Sequence, residues 1–305
     1  MISKNYPFVK CVEFKETHDL YQHLDKDYIW FDLQGSFASF VLFAKYCFKE
    51  KSIIRRFTYK KKRWSRYSFL FMNYIIGRKR QHKNREKQNS VARDLTRRTQ
   101  EILSAHYNLS HSTTVTTDFR PLKKNTQPHE ALKELDFGQW ITIAPGAKYK
   151  PKKLPGDFIA NLLSRTFDVS QKKPNLLLVG GKDEFELISS ICNKLEGKFH
   201  YLNLCGKLTL EQSALAISKT KLTISSDSAM AHISEALGVQ TFMIYGPTSI
   251  EFGFSLHHNE SSSLYSSLGC SPCSRHGKTP CRYKDFACYK NVETKTLESS
   301  LRNLD

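Results

Sequence analysis

The sequence predicts an α/β protein organised around a doubly wound parallel sheet. Three observations carry that expectation. From Gln139 to Tyr245, apolar runs of strand length alternate with amphipathic runs of helix length. The joints that follow those strands are small and polar: Pro145-Gly146-Ala147, Gly180-Gly181 and Ser225-Ser226-Asp227-Ser228. With 305 residues, 40% hydrophobic and 12% aromatic, the chain can bury a substantial core and hold two domains of ordinary size.

In chain order, the first strong element is Tyr28 to Leu33, a buried strand. Gln34-Gly35-Ser36 turns it into an apolar helix over Phe37 to Phe48. Lys49 to Gln100 mixes basic runs with Tyr59, Trp64, Tyr67, Phe69, Phe71 and Tyr74. Gln88 to Tyr107 reads as a long polar helix, and residues 121–137, within a Ser/Thr/Asn-rich stretch, read as a linker. A first domain over 1–120 and a second over 138–305 follow from that break.

In the second domain, strands are expected at Trp140–Ala144, Asn175–Val179, Phe199–Leu204, Leu222–Ile224 and Thr241–Tyr245. Helices are expected over Gly156–Phe167, starting near Pro155, and over Glu184–Leu195. Thr209 and Gln212 form a capping box for a helix carrying Leu210, Ala214 and Ile217. A short helix opens at Ser228 with an apolar stripe of Ala229, Ile233, Ala236 and Leu237, and Gly238 ends it. Residues 289–305 read as a closing helix.

The stretch from Lys219 to Thr248 carries the chemistry. A helix opening at the carboxyl end of a parallel strand presents free N–H groups and the positive end of a dipole, which suits a phosphate. His232 lies in the first turn and can reach the same anion. Asp227 either caps the helix or holds a ligand hydroxyl.

Asp227-Ser228-Ala229-Met230-Ala231-His232, then Ala236-Leu237-Gly238 and Gly246-Pro247-Thr248, resembles the donor-site signature of glycosyltransferase family nine, the ADP-heptose:lipopolysaccharide heptosyltransferases. Ala229 stands where the family has glycine. Asp32-Leu33-Gln34-Gly35 with Ser39 is similar to a segment of the same family's acceptor domain. The resemblance implies two Rossmann-like domains of the GT-B type facing across a cleft. The N-terminal one is expected to be incomplete, lacking its first βαβ unit and the Gly-Asp loop of the presumed catalytic aspartate. No catalytic base is assigned.

The same resemblance implies donor-binding roles for Lys152, Lys153, Gly180, Glu184, Asp227, Ser228, Ala229, His232 and Gly246. Lys152 matches the family's loop lysine beside the diphosphate, with Lys153 or Lys148 as substitutes and Leu154 in place of a tryptophan. Glu184 matches an acid that reaches the donor ribose, with Asp183 as the alternative. The implied reaction is an inverting, metal-independent transfer of heptose or a related sugar from an ADP-sugar to the lipopolysaccharide core or a similar anionic glycolipid. Two other readings stay open: an inactive remnant that binds a nucleotide sugar or anionic surface, and nucleic-acid binding through 45–98.

The net charge is +18, and Lys45 to Arg98 alone holds 19 Lys or Arg against three acids. That region is either a solvated basic face or one that meets something polyanionic. With the resemblance it fits a glycolipid at an anionic inner-membrane surface, and nucleic acid is the less favoured partner because no DNA or RNA module is present. The opening MISKNYPFVK has no secretory pattern, so a cytoplasmic protein, peripheral on the membrane face, is expected. Cys270, Cys273, Cys281 and Cys288 form a CxxC-led cluster that suits a structural zinc or else free or reversibly paired thiols, with His276 as a spare ligand. No cofactor is expected for catalysis.

Overall fold

The computed structural model describes residues 28–32, 53–58, 70–71, 127–132, 140–167, 173–252, 254–256 and 260–304. Two compact units divide the chain, Met1–Tyr67 and Ser68–Asp305. In the first, strand β1 (Tyr28–Asp32) pairs in parallel with β2 (Ile53–Thr58). The expected strand at 28–33 is therefore present. Its partner lies inside the basic stretch, where Arg55 and Arg56 interrupt an otherwise apolar IIRRFT and hid the strand from a search for alternation. The expected helices at 37–48 and 88–107, and most of the basic region, lie outside the described residues.

The second unit holds an all-parallel six-stranded sheet. Its strands are β3 (Trp140–Ala144), β4 (Asn175–Leu178), β5 (Tyr201–Asn203), β6 (Leu222–Ser226), β7 (Gln240–Ile244) and β8 (Ser262–Leu264). The five expected strands are all there. The sixth, β8, escapes sequence reading because it is three residues long and two of them are serine.

The order β5-β4-β3-β6-β7-β8 grows outward in both directions from the β3–β6 pair. Such a reversal opens a crevice at the carboxyl ends of the two central strands. Every residue of β3 and β6 is buried, as a strand covered on both faces must be. On one face Ile141, Ile143, Leu176, Leu178, Leu222, Ile224, Phe242 and Ile244 pack against helices α1 (Gly156–Thr166) and α2 (Phe185–Leu195). On the other, Trp140, Ala144, Leu177 and Val179 pack with Ala216 and Ile217 of α3 (Leu210–Ile217). Leu132, within the expected linker, is buried in this second cluster.

Local signals held where they were strongest. Thr209 Oγ1 accepts from Gln212 N at 3.1 Å while Gln212 Oε1 accepts from Thr209 N at 3.0 Å, closing the capping box. Helix α4 (Ala229–Ala236) ends at Gly238, whose φ of +78° is the left-handed stop a glycine permits. The buried face of α4, however, is Ala231, Ser234 and Glu235, rather than the stripe of Ala229, Ile233, Ala236 and Leu237. Ser234 is buried because its hydroxyl hydrogen-bonds that of Thr241 on β7 at 2.8 Å, a pairing that hydrophobicity alone does not reveal. The closing segment is two helices, α5 (Ala287–Lys290) and α6 (Lys295–Arg302), with Leu297 and Leu301 of α6 inward. Among the described residues no helix is long and apolar enough to cross a membrane.

Candidate functional site

The loops after β3 and β6 are tied across the strand reversal. Ser226 Oγ donates to the Gly146 carbonyl, and Asp227 N donates to Ile244 O at 3.2 Å. Leu154, fully buried, closes the 145–155 loop by donating from its N to Pro145 O at 2.9 Å. Lys150–Lys152 forms one tight helical turn inside that loop and aims Lys152 inward. Lys152 Nζ lies 2.9 Å from Asp227 Oδ2, and Thr248 Oγ1 donates to the same oxygen at 2.5 Å. The carboxylate is thus a hub joining the loops after β3, β6 and β7.

Asp227 does not cap α4, because the N-cap position is Ser228. Ser228 makes no side-chain cap bond either; its Oγ lies 3.3 Å from Ser225 Oγ. The opening turn of α4 thus carries no side-chain cap, and its N–H groups point toward the positive end of the helix dipole.

Glu184 is buried beside this point. Its Oε2 accepts from Gly181 N at 3.0 Å, and its Oε1 lies 3.8 Å from Lys153 Nζ. The carboxylate packs directly over Gly146 and Gly180: a Cβ on Gly146 would stand 1.9 Å from Glu184 Cδ, and one on Gly180 would stand 2.7 Å from its Oε2, so either would displace the Glu184 side chain. Lys153 also donates to Asp183 O at 3.1 Å, so it braces the Gly180–Glu184 turn.

These loops enclose a cleft of about 980 Å3. The expected residues Lys152, Gly180, Glu184, Asp227, Ser228, Ala229 and His232 all line it. Lys153 and Gly246 do not. Gly246 is a packing position: a Cβ there would lie 2.2 Å from Cζ of Tyr289, and its carbonyl accepts from Ser271 Oγ at 2.7 Å. Lining residues that sequence reading missed include Tyr149, Leu208, Leu210, Phe254, Arg275 and Lys278. Leu208 and Leu210 offer an apolar wall, whereas Arg275 and Lys278 come from the cysteine-rich segment.

The four cysteines gather around a smaller pocket of about 280 Å3 next to Gly246. All four are free thiols, and among the described residues no three His, Cys, Asp or Glu side chains are assembled to hold a metal ion. The four thiols nonetheless share the lining of that one pocket, beside Pro272, Pro280 and Tyr283. Burial pushes the Cys288 thiol up to about 12, with the neighbouring thiols adding to the effect. The folded chain therefore holds this proton more tightly than the unfolded chain. The stability it confers is complete below the thiol's ordinary 9.0 and is lost as pH rises toward 12. Urea midpoints should be level near neutral pH and fall above about pH 9, with a shallower fall in Cys288→Ala, because burial also raises the Cys273 thiol from the same ordinary value. Tyr245 and Tyr289, also raised by burial, add to the fall at still higher pH.

A family model described as glycosyltransferase family 9 (heptosyltransferase) matches residues 19–284. Lipopolysaccharide heptosyltransferase 2 of Escherichia coli is 29% identical over 121 residues, which are 39% of this chain and 34% of that one. The match thus spans about a third of that relative's length. Among solved structures, E. coli ADP-heptose lipopolysaccharide heptosyltransferase II aligns with a TM-score of 0.44 at 21% identity, over 56% of this chain and 47% of that one. E. coli heptosyltransferase WaaC with ADP-2-deoxy-2-fluoro heptose aligns at 0.42 and 14% identity, over 81% of this chain and 86% of that one.

Proposed function

The chain belongs to glycosyltransferase family 9, and on that premise we propose that the cleft of the second unit binds a nucleoside diphosphate sugar for transfer to an anionic glycolipid. The donor is taken to be an ADP-sugar, heptose or a close relative, and the acceptor the lipopolysaccharide core or a similar molecule. One observation carries the reading: the uncapped opening of α4 and the Lys152–Asp227 pair meet at the strand reversal, inside a cleft large enough for a nucleotide sugar. Ligands of open α/β sheets bind at such a reversal.

In the transfer, an acceptor hydroxyl loses its proton to a general base and its oxygen bonds the anomeric carbon while the bond to the diphosphate breaks, inverting the configuration. Negative charge grows on the departing diphosphate. Lys152, held in direction by Asp227, and the first-turn N–H groups of α4 are fixed donors that meet this charge without reorganising. His232, on the first turn of α4, adds a donor at the same wall. Glu184, with its carboxylate between two glycines, suits the ribose hydroxyls. No step in this scheme needs a metal.

Calorimetry with ADP and a transfer assay from ADP-heptose to a deacylated core glycolipid test the proposal together. Binding of ADP in the presence of EDTA is expected, weakened roughly tenfold, or about 1.4 kcal/mol, in Lys152→Ala. Binding without turnover would favour the reading of an inactive nucleotide-sugar binder. Absence of any ADP binding by the wild-type chain would end the donor reading.

A further inference from the structure

The segment Cys273–Lys278 lies as a strap across the cleft. The N–H groups of Cys273 and Ser274 donate to Pro247 O at 3.0 and 2.9 Å, anchoring its start beside β7. Four residues on, Gly277 rests on the stem of Lys152, with φ +75° and so little room that a Cβ would stand 2.2 Å from Lys152 Cγ. A glycine is needed there both for the left-handed backbone and for the contact. The strap therefore spans from the β7 loop to the β3 loop and brings its own cations over the mouth of the site.

Lys278 Nζ then sits 5.3 Å from the centre of the Tyr149 ring, and Lys148 Nζ sits 5.9 Å from the same ring. Two ammonium groups from segments 130 residues apart are collected on one aromatic side chain, and both line the cleft. Each is held within about 6 Å of the same ring centre, so an anion bound beside that ring would be attracted by both. Two further lysines of the same loop are committed: Lys152 to Asp227, and Lys153 to Asp183 and Glu184. Arg275 lines the same wall as Lys278. The cleft volume is at the upper end for ligand pockets, leaving space for a second charged group beside a nucleotide.

We infer that the strap and Tyr149 form a phosphate clamp, with Lys148 and Lys278 as its two jaws and Arg275 as a third donor. Its ligand is a phosphoryl group, supplied either by the donor's own diphosphate or by a phosphorylated acceptor. The inference depends on the proposed function only for which of those two sources is used.

The test titrates inorganic phosphate into the full chain by calorimetry, with and without saturating ADP. It compares wild type, the double variant Lys148→Ala/Lys278→Ala, and Lys198→Glu as a charge-matched control away from the cleft. Phosphate affinity should fall at least tenfold in the double variant and less than twofold in the control. Phosphate that still binds the ADP-saturated protein identifies the acceptor as the source; phosphate displaced by ADP, with ADP weakened in the same variant, identifies the donor. Equal phosphate binding in the double variant and the control, or none in wild type, overturns the clamp. Phosphate binding that depends on the two lysines in a protein that ignores ADP would leave the clamp standing and remove the donor reading instead.

Discussion

Asp227→Ala should cost about 3 kcal/mol of folding stability and weaken ADP at least about tenfold. Asp227 is only 8% exposed, and its carboxylate receives both Lys152 Nζ and the Thr248 hydroxyl on one oxygen. Deleting it strands a largely buried ammonium and a buried hydroxyl together, and removing one member of such a pair costs more than the pair contributes. The effect on ADP has two opposing parts. Lys152 regains a charge that Asp227 had partly neutralised, but loses the direction that aims it at the opening of α4. Direction should prevail, because a flexible lysine must be ordered again on each binding event. Asp227→Asn separates the parts: it keeps the acceptor for Thr248 while ending the ion pair, and should retain more stability than alanine. Urea melts and calorimetry read both numbers. An alanine variant as stable as wild type with unchanged ADP affinity would show that the hub does not organise the site.

The sheet was legible because its information is local and repeated. Each expected strand of the second unit is an apolar run bounded by turn residues, and the capping box at Thr209 and the glycine stop at Gly238 lie within a few residues of what they control. What escaped depends on partners. The strand at Ser262–Leu264 becomes one only because β7 offers an edge to pair with, and the strand at Ile53–Thr58 is masked by two arginines. The buried side of α4 is set by Thr241, seven residues beyond Ser234 and on another element.

The site divides along the same line. Residues just after β3, β4 and β6 could be picked from sequence, since parallel topology sends all such loops to one edge. Arg275 and Lys278 could not, because they reach the cleft only through the anchor at Pro247 and the contact of Gly277 with Lys152. Their neighbours advertised sulfur chemistry, and the charges between the cysteines went unread. Asp227 was read as a cap or a hydroxyl ligand. Its place as the partner of a lysine 75 residues earlier is a product of strand order, which sequence spacing does not encode.

Gly246→Ala separates a binding role from a packing role at a position where the two readings differ. The new methyl would meet Cζ and Oη of Tyr289 at 2.2 and 2.4 Å. Tyr289 is 1% exposed, and its hydroxyl donates to Pro151 O at 3.0 Å, so it cannot retreat without breaking that hydrogen bond. Overpacking of this kind should cost about 3 kcal/mol, the upper end for one added carbon. Pro151 adjoins Lys152, so ADP binding should weaken as well, as a consequence of the displaced loop. If the cost is steric, it is conditional on the ring: in a Tyr289→Leu background, Gly246→Ala should cost under about 1 kcal/mol, a coupling that a double-mutant cycle measures directly. A variant with unaltered urea stability that nonetheless fails to bind ADP would mean that Gly246 meets the donor through its backbone, and that its contact with Tyr289 is incidental.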